Sequence, residues 1–383
     1  MARKSATVFA SVVAGVAVLV VGCSDPASDS APASTTATSG RAAPAPASGQ
    51  AAPAPGNLPR ITILATGGTI AGKANANSAV GYTAGEASAK DLIDAVPGID
   101  KIATLSTEQI SNIGSQDMSD AVWLPLARRI NEIFAGNKAD GVVITHGTDT
   151  IEETAFFLDN VVAADKPVVL AGSMRPSTAL SADGPANLRS AVQVAASPDA
   201  RGHGTLVVLN DTIHGAHDVT KTNTTSLQTF VSPNDGPVGH VDAAEVHFYR
   251  PATEQHRPRF PVPENSMPRV DIVYSYAGVD ADPVNDALGH DAKGIVLAGV
   301  GDGNTAKPVL SALGDAAKKG IIAVRSTRVG SGSTVRNAEV NDDDLGTVAS
   351  LDLNPSKSRI LVQLLLVNDI TDPHKVQDAF ATR

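Results

Sequence analysis

The chain has 383 residues, 42% of them hydrophobic, 18% charged and only 3% aromatic; at about 150 residues per domain this allows a sizeable core and roughly two domains. A formal net charge of −10 with no basic stripe excludes a nucleic-acid binder, whose phosphate contacts need clustered Lys and Arg. A single cysteine excludes intrachain disulfides and Cys-rich zinc sites.

Residues 1–22 read as an export signal, with Arg3 and Lys4 at a positive start and an apolar run over 8–22. That run is shorter than the ~20 residues of a membrane span. It ends Val20-Val21-Gly22-Cys23, which resembles a bacterial lipobox, where the cysteine is lipidated and becomes the mature N-terminus. The expectation is an exported, periplasmic protein that meets the membrane only through a lipid anchor at Cys23. With an ordinary signal cleaved nearby, Cys23 would be incidental. The next segment, 23–58, is rich in Ala, Pro and Ser, and 24–56 has no large apolar side chain. It buries no core and reads as a disordered, semi-extended spacer.

From residue 59, apolar runs alternate with helical patterns. Strands are expected at 61–65, 141–145, 167–171, 205–209, 270–276, 294–299 and 320–325, each nearly continuously apolar, as strands covered on both faces must be. Residues 151–162 carry Ile151, Ala155, Leu158 and Val162 at helical spacing. Residues 185–196 begin with Pro185, and Asn354-Pro355 pairs a cap with a proline at the first helical position. A helix is also read through "DAVWLPLARRINEIF", where Pro125 costs one helical hydrogen bond. Residues 250–268, with five prolines and no periodicity, read as a linker between domains 59–249 and 269–383. The pattern predicts an α/β protein: a large N-terminal domain with a mostly parallel sheet flanked by helices, and a smaller C-terminal α/β domain.

Open α/β sheets bind ligands beyond the carboxyl ends of their strands. Those ends are followed by Thr66-Gly67-Gly68-Thr69, His146-Gly147-Thr148-Asp149-Thr150, Gly172-Ser173 and Asn210-Asp211, with "DVTKTNT" shortly beyond. The glycines fit neither a dinucleotide fingerprint nor a P-loop. There is no G-x-S-x-G elbow and no His-Glu-x-x-His, and no close His/carboxylate cluster suggests a metal. A threonine nucleophile needs a base, and Lys221 serves if folding brings it beside Thr148, with Asp149 to orient it or to hold a substrate ammonium. Taken singly, each feature has a plainer reading. "TGGT" is a turn, Thr-Asp a helix cap, Tyr82 a half-buried aromatic, and Lys221 and Glu339 solvated charges.

Taken together, "ATGGTIAG" (65–72), "NIGSQDM" (112–118), "VITHGTDTIEETAFFLD" (143–159), "MRPSTALSADGPANL" (174–188) and "DVTKTNTT" (218–225) closely resemble bacterial type II L-asparaginases, secreted homotetrameric amidohydrolases. The resemblance covers about 59–383 and is weakest over 240–268. It implies hydrolysis of L-asparagine to L-aspartate and ammonia with no cofactor, with minor activity on glutamine as part of the same implication. It implies that Thr69 is the nucleophile, with Tyr82 and a neighbouring subunit's Glu339 as partners. Thr148, Asp149 and Lys221 form the second catalytic set. Gly114, Ser115 and Gln116, in "GSQD", hold the substrate's α-carboxylate and α-amino ends; Asp149 and Glu339 match its ammonium, and Asn304 reaches in from the partner subunit. Backbone N–H groups at the Gly-rich turn suit the oxyanion of a tetrahedral intermediate. Ser173 stands where many relatives have alanine, beside the expected leaving amide. Two rival readings remain: a dual-specificity glutaminase-asparaginase, which "GSQD" and "GDGN" disfavour by resemblance, and a non-catalytic solute-binding lipoprotein.

Overall fold

The computed structural model describes residues 58–74, 82–83, 88–252 and 259–383. The signal segment, nearly all of the spacer, and Cys23 lie outside them. The chain runs β1 (Arg60–Gly67), β2 (Lys73–Ala74), β3 (Tyr82–Thr83), α1 (Ala89–Asp94), β4 (Thr104–Ile113), α2 (Asp120–Ala135), β5 (Gly141–Thr145), α3 (Ile151–Val161), β6 (Val168–Ala171), α4 (Gly184–Ala196), β7 (Thr205–Leu209), β8 (Thr212–Gly215), β9 (Thr220–Lys221), β10 (Phe230–Val231), β11 (Gly239–Val241) and β12 (Val246–Phe248). It continues β13 (Val270–Tyr274), α5 (Asp282–Gly289), β14 (Gly294–Gly299), α6 (Lys307–Lys318), β15 (Ile322–Thr327), α7 (Asp342–Leu345), β16 (Val348–Ala349), α8 (Pro355–Val367) and α9 (Pro373–Ala381).

The larger sheet has the order β12-β11-β8-β7-β6-β5-β1-β4. From β4 to β7 every pairing is parallel, and β8, β11 and β12 add an antiparallel edge. The smaller sheet, β13-β14-β15-β16, is parallel throughout. Side-chain alternation divides the strands between cores. Leu64, Val142, Ile144 and Leu170 pack with Trp123 and Ile130 of α2 and Phe156 of α3, whereas Ile63, Val143, Val169 and Ala171 pack with Leu188 and Val192 of α4. The first of these cores continues through Ile360, Leu361 and Leu364 of α8 to Val296 and Val324 of the smaller sheet. The opposite face of that sheet, Ile295, Leu297 and Ala323, packs with Val284 of α5 and Leu313 of α6. Each such side chain contributes roughly 1.5–3 kcal/mol relative to exposure, so the two sheets are tied by a shared apolar layer.

Several elements differ from the sequence expectation. The ten-residue strand β4 was not expected: its exposure alternates and its outer side is an edge, so it lacks the apolar run of a central strand. The helix α2, by contrast, forms as expected and passes through Pro125, which is exposed, so water can satisfy the carbonyl that loses its donor. Asn210 and Asp211, with φ of 49° and 59°, are the two-residue turn joining β7 to β8. The expected linker is packed where it is described. Phe260 and Met267 are buried, Met267 N–H donates to Asp120 Oδ2 (2.6 Å), and Arg128 donates to the carbonyls of Pro263 (2.6 Å) and Glu264 (2.8 Å). No helix among the described residues is long and apolar enough to cross a membrane.

Candidate active site

Parallel pairing sets the carboxyl ends of β1, β4, β5 and β6 along one edge of the sheet. There the backbone closes up to a degree that only glycine permits. Gly68 has φ 81° and ψ −176°, a region essentially restricted to glycine, and a Cβ on it would overlap the backbone of Gly147. A Cβ on Gly67 would overlap Ile113, and one on Gly147 would overlap Ser115. The β1, β4 and β5 ends are therefore in backbone contact, which sets Thr69, Ser115 and Thr148 on neighbouring loops. All three are buried. The Gly68 N–H donates to the Ile113 carbonyl (2.9 Å), so this amide of the Gly-rich turn is not available to an oxyanion.

Lys221 joins the cluster from the β9–β10 ribbon. Its Nζ donates to Thr148 Oγ1 (2.9 Å) and to Asp149 Oδ1 (2.7 Å). The lysine side chain is mostly covered, at 17% exposure, whereas Asp149 is 57% exposed and can meet a small cation from solvent. Asp149 N–H donates to Ser115 Oγ (3.1 Å), and Thr150 Oγ1 donates to the Ser115 carbonyl (2.7 Å), locking the β4 and β5 loops together.

Three residues that sequence reasoning missed hold this geometry. Glu152, in the first turn of α3, accepts from Lys221 N–H (2.6 Å) through one oxygen and from Asn354 Nδ2 (3.1 Å) through the other. Lys357, on α8 and 1% exposed, donates to the carbonyls of His217 (2.7 Å) and Val219 (2.6 Å), just before Lys221; burial pushes its pKa down to about 8. His146 is fully buried. The Trp123 indole N–H can only donate, so Thr154 Oγ1 accepts from it (2.8 Å) and gives its own proton to His146 Nε2 (2.9 Å). His146 Nδ1–H then donates to the Gly147 carbonyl (2.7 Å). Burial pushes the His146 pKa down to about 4, so the ring is neutral. No spacing rule in the sequence marks these residues, because their partners lie on other elements.

The remaining expected site residues fall in other places. Asn304 Nδ2 donates to Glu339 Oε2 (2.6 Å), so these two meet each other, and no hydrogen bond links them to Thr148, Asp149 or Lys221. Their loops are held by Arg325 and Asp342, a buried bidentate pair at 2.6 and 2.8 Å with exposures of 1% and 0%. Arg325 also donates to the carbonyls of Asp302 (3.2 Å), Gly303 (3.3 Å) and Val335 (3.2 Å). Burial alone would raise the Asp342 carboxyl, but Arg325, the Asn337 N–H and the Thr347 hydroxyl outweigh it and hold it below the usual carboxylate range. Ser173 is buried at the end of β6, and its hydroxyl donates to the Arg175 carbonyl (2.8 Å). Gly114 precedes the short turn Ser115–Asp117, and Gln116 is exposed there. Tyr82 pairs with Ala74 through its backbone, and its side chain lies outside the description. One His/carboxylate grouping with metal-ligand spacing occurs among the described residues, at His240, Asp242 and His247 on β11–β12, away from these strand ends.

Family models match both parts of the chain: asparaginase, N-terminal, over 60–254, and glutaminase/asparaginase C-terminal domain over 269–380. The chain is 49% identical over 326 residues to L-asparaginase 2 of Escherichia coli (strain K12), covering 84% of this chain and 93% of that protein. It is 49% identical over 327 residues to a probable periplasmic L-asparaginase of Haemophilus influenzae, covering 85% and 93%. It is 42% identical over 314 residues to a glutaminase-asparaginase of Pseudomonas fluorescens biotype A, covering 81% and 86%. With both family models matched in order and paired threonine-bearing loops at the ends of a parallel sheet, the chain belongs to the asparaginase family.

Proposed function

We propose that this protein hydrolyses the side-chain amide of L-asparagine to L-aspartate and ammonia. The observation that carries the reading is the contact of Lys221 with both Thr148 and Asp149, on a loop whose backbone abuts the one bearing Thr69. In this reading Thr69 is the primary nucleophile, assisted by Tyr82, while Lys221 serves as the base for Thr148. In that role the Thr148 hydroxyl proton passes to the lysine nitrogen as the oxygen attacks the amide or activates water. Asp149 and Glu339 match the substrate ammonium, since a buried unpaired charge is costly. Gly114, Ser115 and Gln116 receive the carboxylate end, and Ser173 lies by the leaving amide. The Asn304–Glu339 pair completes the site of a neighbouring subunit in a homotetramer, which accounts for its lack of a hydrogen bond to Thr148, Asp149 or Lys221. The mature protein is exported and lipid-anchored at Cys23.

A glutaminase-asparaginase activity is the second reading, favoured by the relative of that name. Ammonia release from L-asparagine and from L-glutamine, measured side by side, tests both. Faster turnover of asparagine supports the first reading and comparable rates the second. No ammonia from either would favour a binding protein and overturn both.

A further inference from the structure

Outside the strand-end site, His240, Asp242 and His247 each bring one potential ligand atom to within 4.8 Å of the others. The register of β11 and β12 builds this grouping. His240 and His247 are paired directly across the antiparallel ladder, and their rings stack with centroids 4.7 Å apart and planes 19° apart. Asp242 is oriented by the turn itself. Its Oδ1 accepts from the N–H groups of Ala244 (2.7 Å) and Glu245 (2.8 Å), and its Oδ2 lies 3.2 Å from His247 Nε2. Glu245 offers a second carboxylate 3.8 Å from the same nitrogen. The Nδ1 atom of His240 is buried and has no hydrogen-bond partner among the described residues, so it is open to a water or an ion.

Two imidazoles flanking a carboxylate form a donor set suited to late first-row divalent ions, zinc among them. In a tetrahedral site with bonds near 2.1 Å, ligand atoms lie about 3.4 Å apart. Closing the three donors to that spacing asks for side-chain rotation within a ladder already in register. The spacing His-x-Asp-x4-His matches no common linear metal motif, because a hairpin rather than a helix or knuckle sets it. We propose that His240, Asp242 and His247 form a binding site for a zinc-class divalent ion that clasps β11 to β12. A clasp has a physical use there: β12 is only three residues long and, among the described residues, is the outermost strand of the sheet with a neighbour on one side only. The site is four strand spacings from β5, or roughly 19 Å at ~4.8 Å per strand, so it stands apart from the amidohydrolase machinery.

The test uses the full chain without a polyhistidine tag, stripped with EDTA and titrated with zinc chloride alone. One ion per chain should bind, and Tm should rise with zinc concentration, as for any ligand that binds only the folded state. Co2+ in its place should give the visible absorption of a four-coordinate site. Asp242→Asn and His247→Gln should each weaken zinc binding about tenfold or more, whereas His290→Gln, just after α5, should leave it unchanged. Asp242→Asn retains an oxygen to accept the two turn amides, so it separates loss of a ligand from damage to the hairpin. Absence of stoichiometric zinc binding would overturn the proposal. So would undiminished binding by the His240→Gln/His247→Gln double variant, which would locate the ion elsewhere.

Discussion

At the scale of single residues, the Thr148–Lys221 contact separates chemistry from packing. Valine keeps the β-branched shape of threonine and removes only the hydroxyl. Thr148→Val and Thr69→Val should each lower kcat by at least about a thousandfold, with KM changed far less and Tm near that of the parent. Lys221→Met should lower kcat by roughly 10²–10⁴, the range of a general base, while its backbone N–H keeps the bond to Glu152. Steady-state kinetics beside thermal melts read both quantities. Near-normal activity of Thr69→Val would return "TGGT" to being a turn. Gly68 fails differently. Its backbone angles are essentially glycine-only and a Cβ would overlap Gly147, so Gly68→Ala should lower Tm and activity together.

At the scale of elements, the candidate site depends on helices that carry none of its proposed catalytic or binding residues. The α3 helix supplies Glu152, α8 supplies Lys357 and its capping residue Asn354, and together they fix the ribbon that carries Lys221. On the other side, Arg325 of β15 ties the Asn304 and Glu339 loops to the smaller sheet through Asp342. Removing one member of a buried pair leaves the other charge uncompensated and costs about 3–5 kcal/mol. Arg325→Met should therefore lower stability by that order in denaturant unfolding, and activity should fall with the displaced loops. A loss below about 1 kcal/mol would mean that Asp342 finds water or another partner. The strand β4 shows how an element escapes sequence reading. Its polar outer side makes its pattern unlike the apolar runs beside it, and only pairing with β1 makes it a strand.

At the scale of the whole molecule, two consequences can be measured. His146 and His214 are both held near pKa 4, by burial, with the nearby Lys357 charge adding to the effect at His214. The unfolded chain takes up these protons near pH 6.5 and the folded chain only near 4, so the unfolded state binds more protons between those values. Their contribution is thus fully present above pH 6.5 and is lost as pH falls toward 4, on the order of 3 kcal/mol per histidine. Thermal melts from pH 8 to 4 should show this fall, and His146→Gln should show a shallower one. The second consequence concerns assembly. If each site draws Thr148 from one chain and Glu339 from another, then Thr148→Val and Glu339→Gln chains, inactive alone, should regain about a quarter of normal activity when co-assembled in a paired oligomer. No recovery despite mixed oligomers, verified by mass, would place both residues of a site on one chain. Cys23→Ala should shift the protein from the membrane fraction to the soluble fraction, and an already soluble parent would remove the anchor.

Much of the fold was legible because burial on both faces forces near-continuous apolar strands and amphipathic helices, and these patterns are local. Runs such as "GVVIT" and "GIVLAG" could lie only inside a covered sheet, and the loops after them were where a ligand site had to form. Thr148 and Asp149 were legible for the same reason, being neighbours on one such loop. Tertiary structure alone decided what meets across the chain. Lys221 reaches Thr148 across a sequence separation of 73, Glu152 and Lys357 hold Lys221 from two helices, and Gly68 lies against Gly147 because β1 and β5 are adjacent. The grouping of His240, Asp242 and His247 likewise exists only through hairpin register. Hydrophobic periodicity is written residue by residue, whereas hydrogen bonds, close backbone contacts and ligand sets depend on which distant segments the packed core brings within a few ångströms.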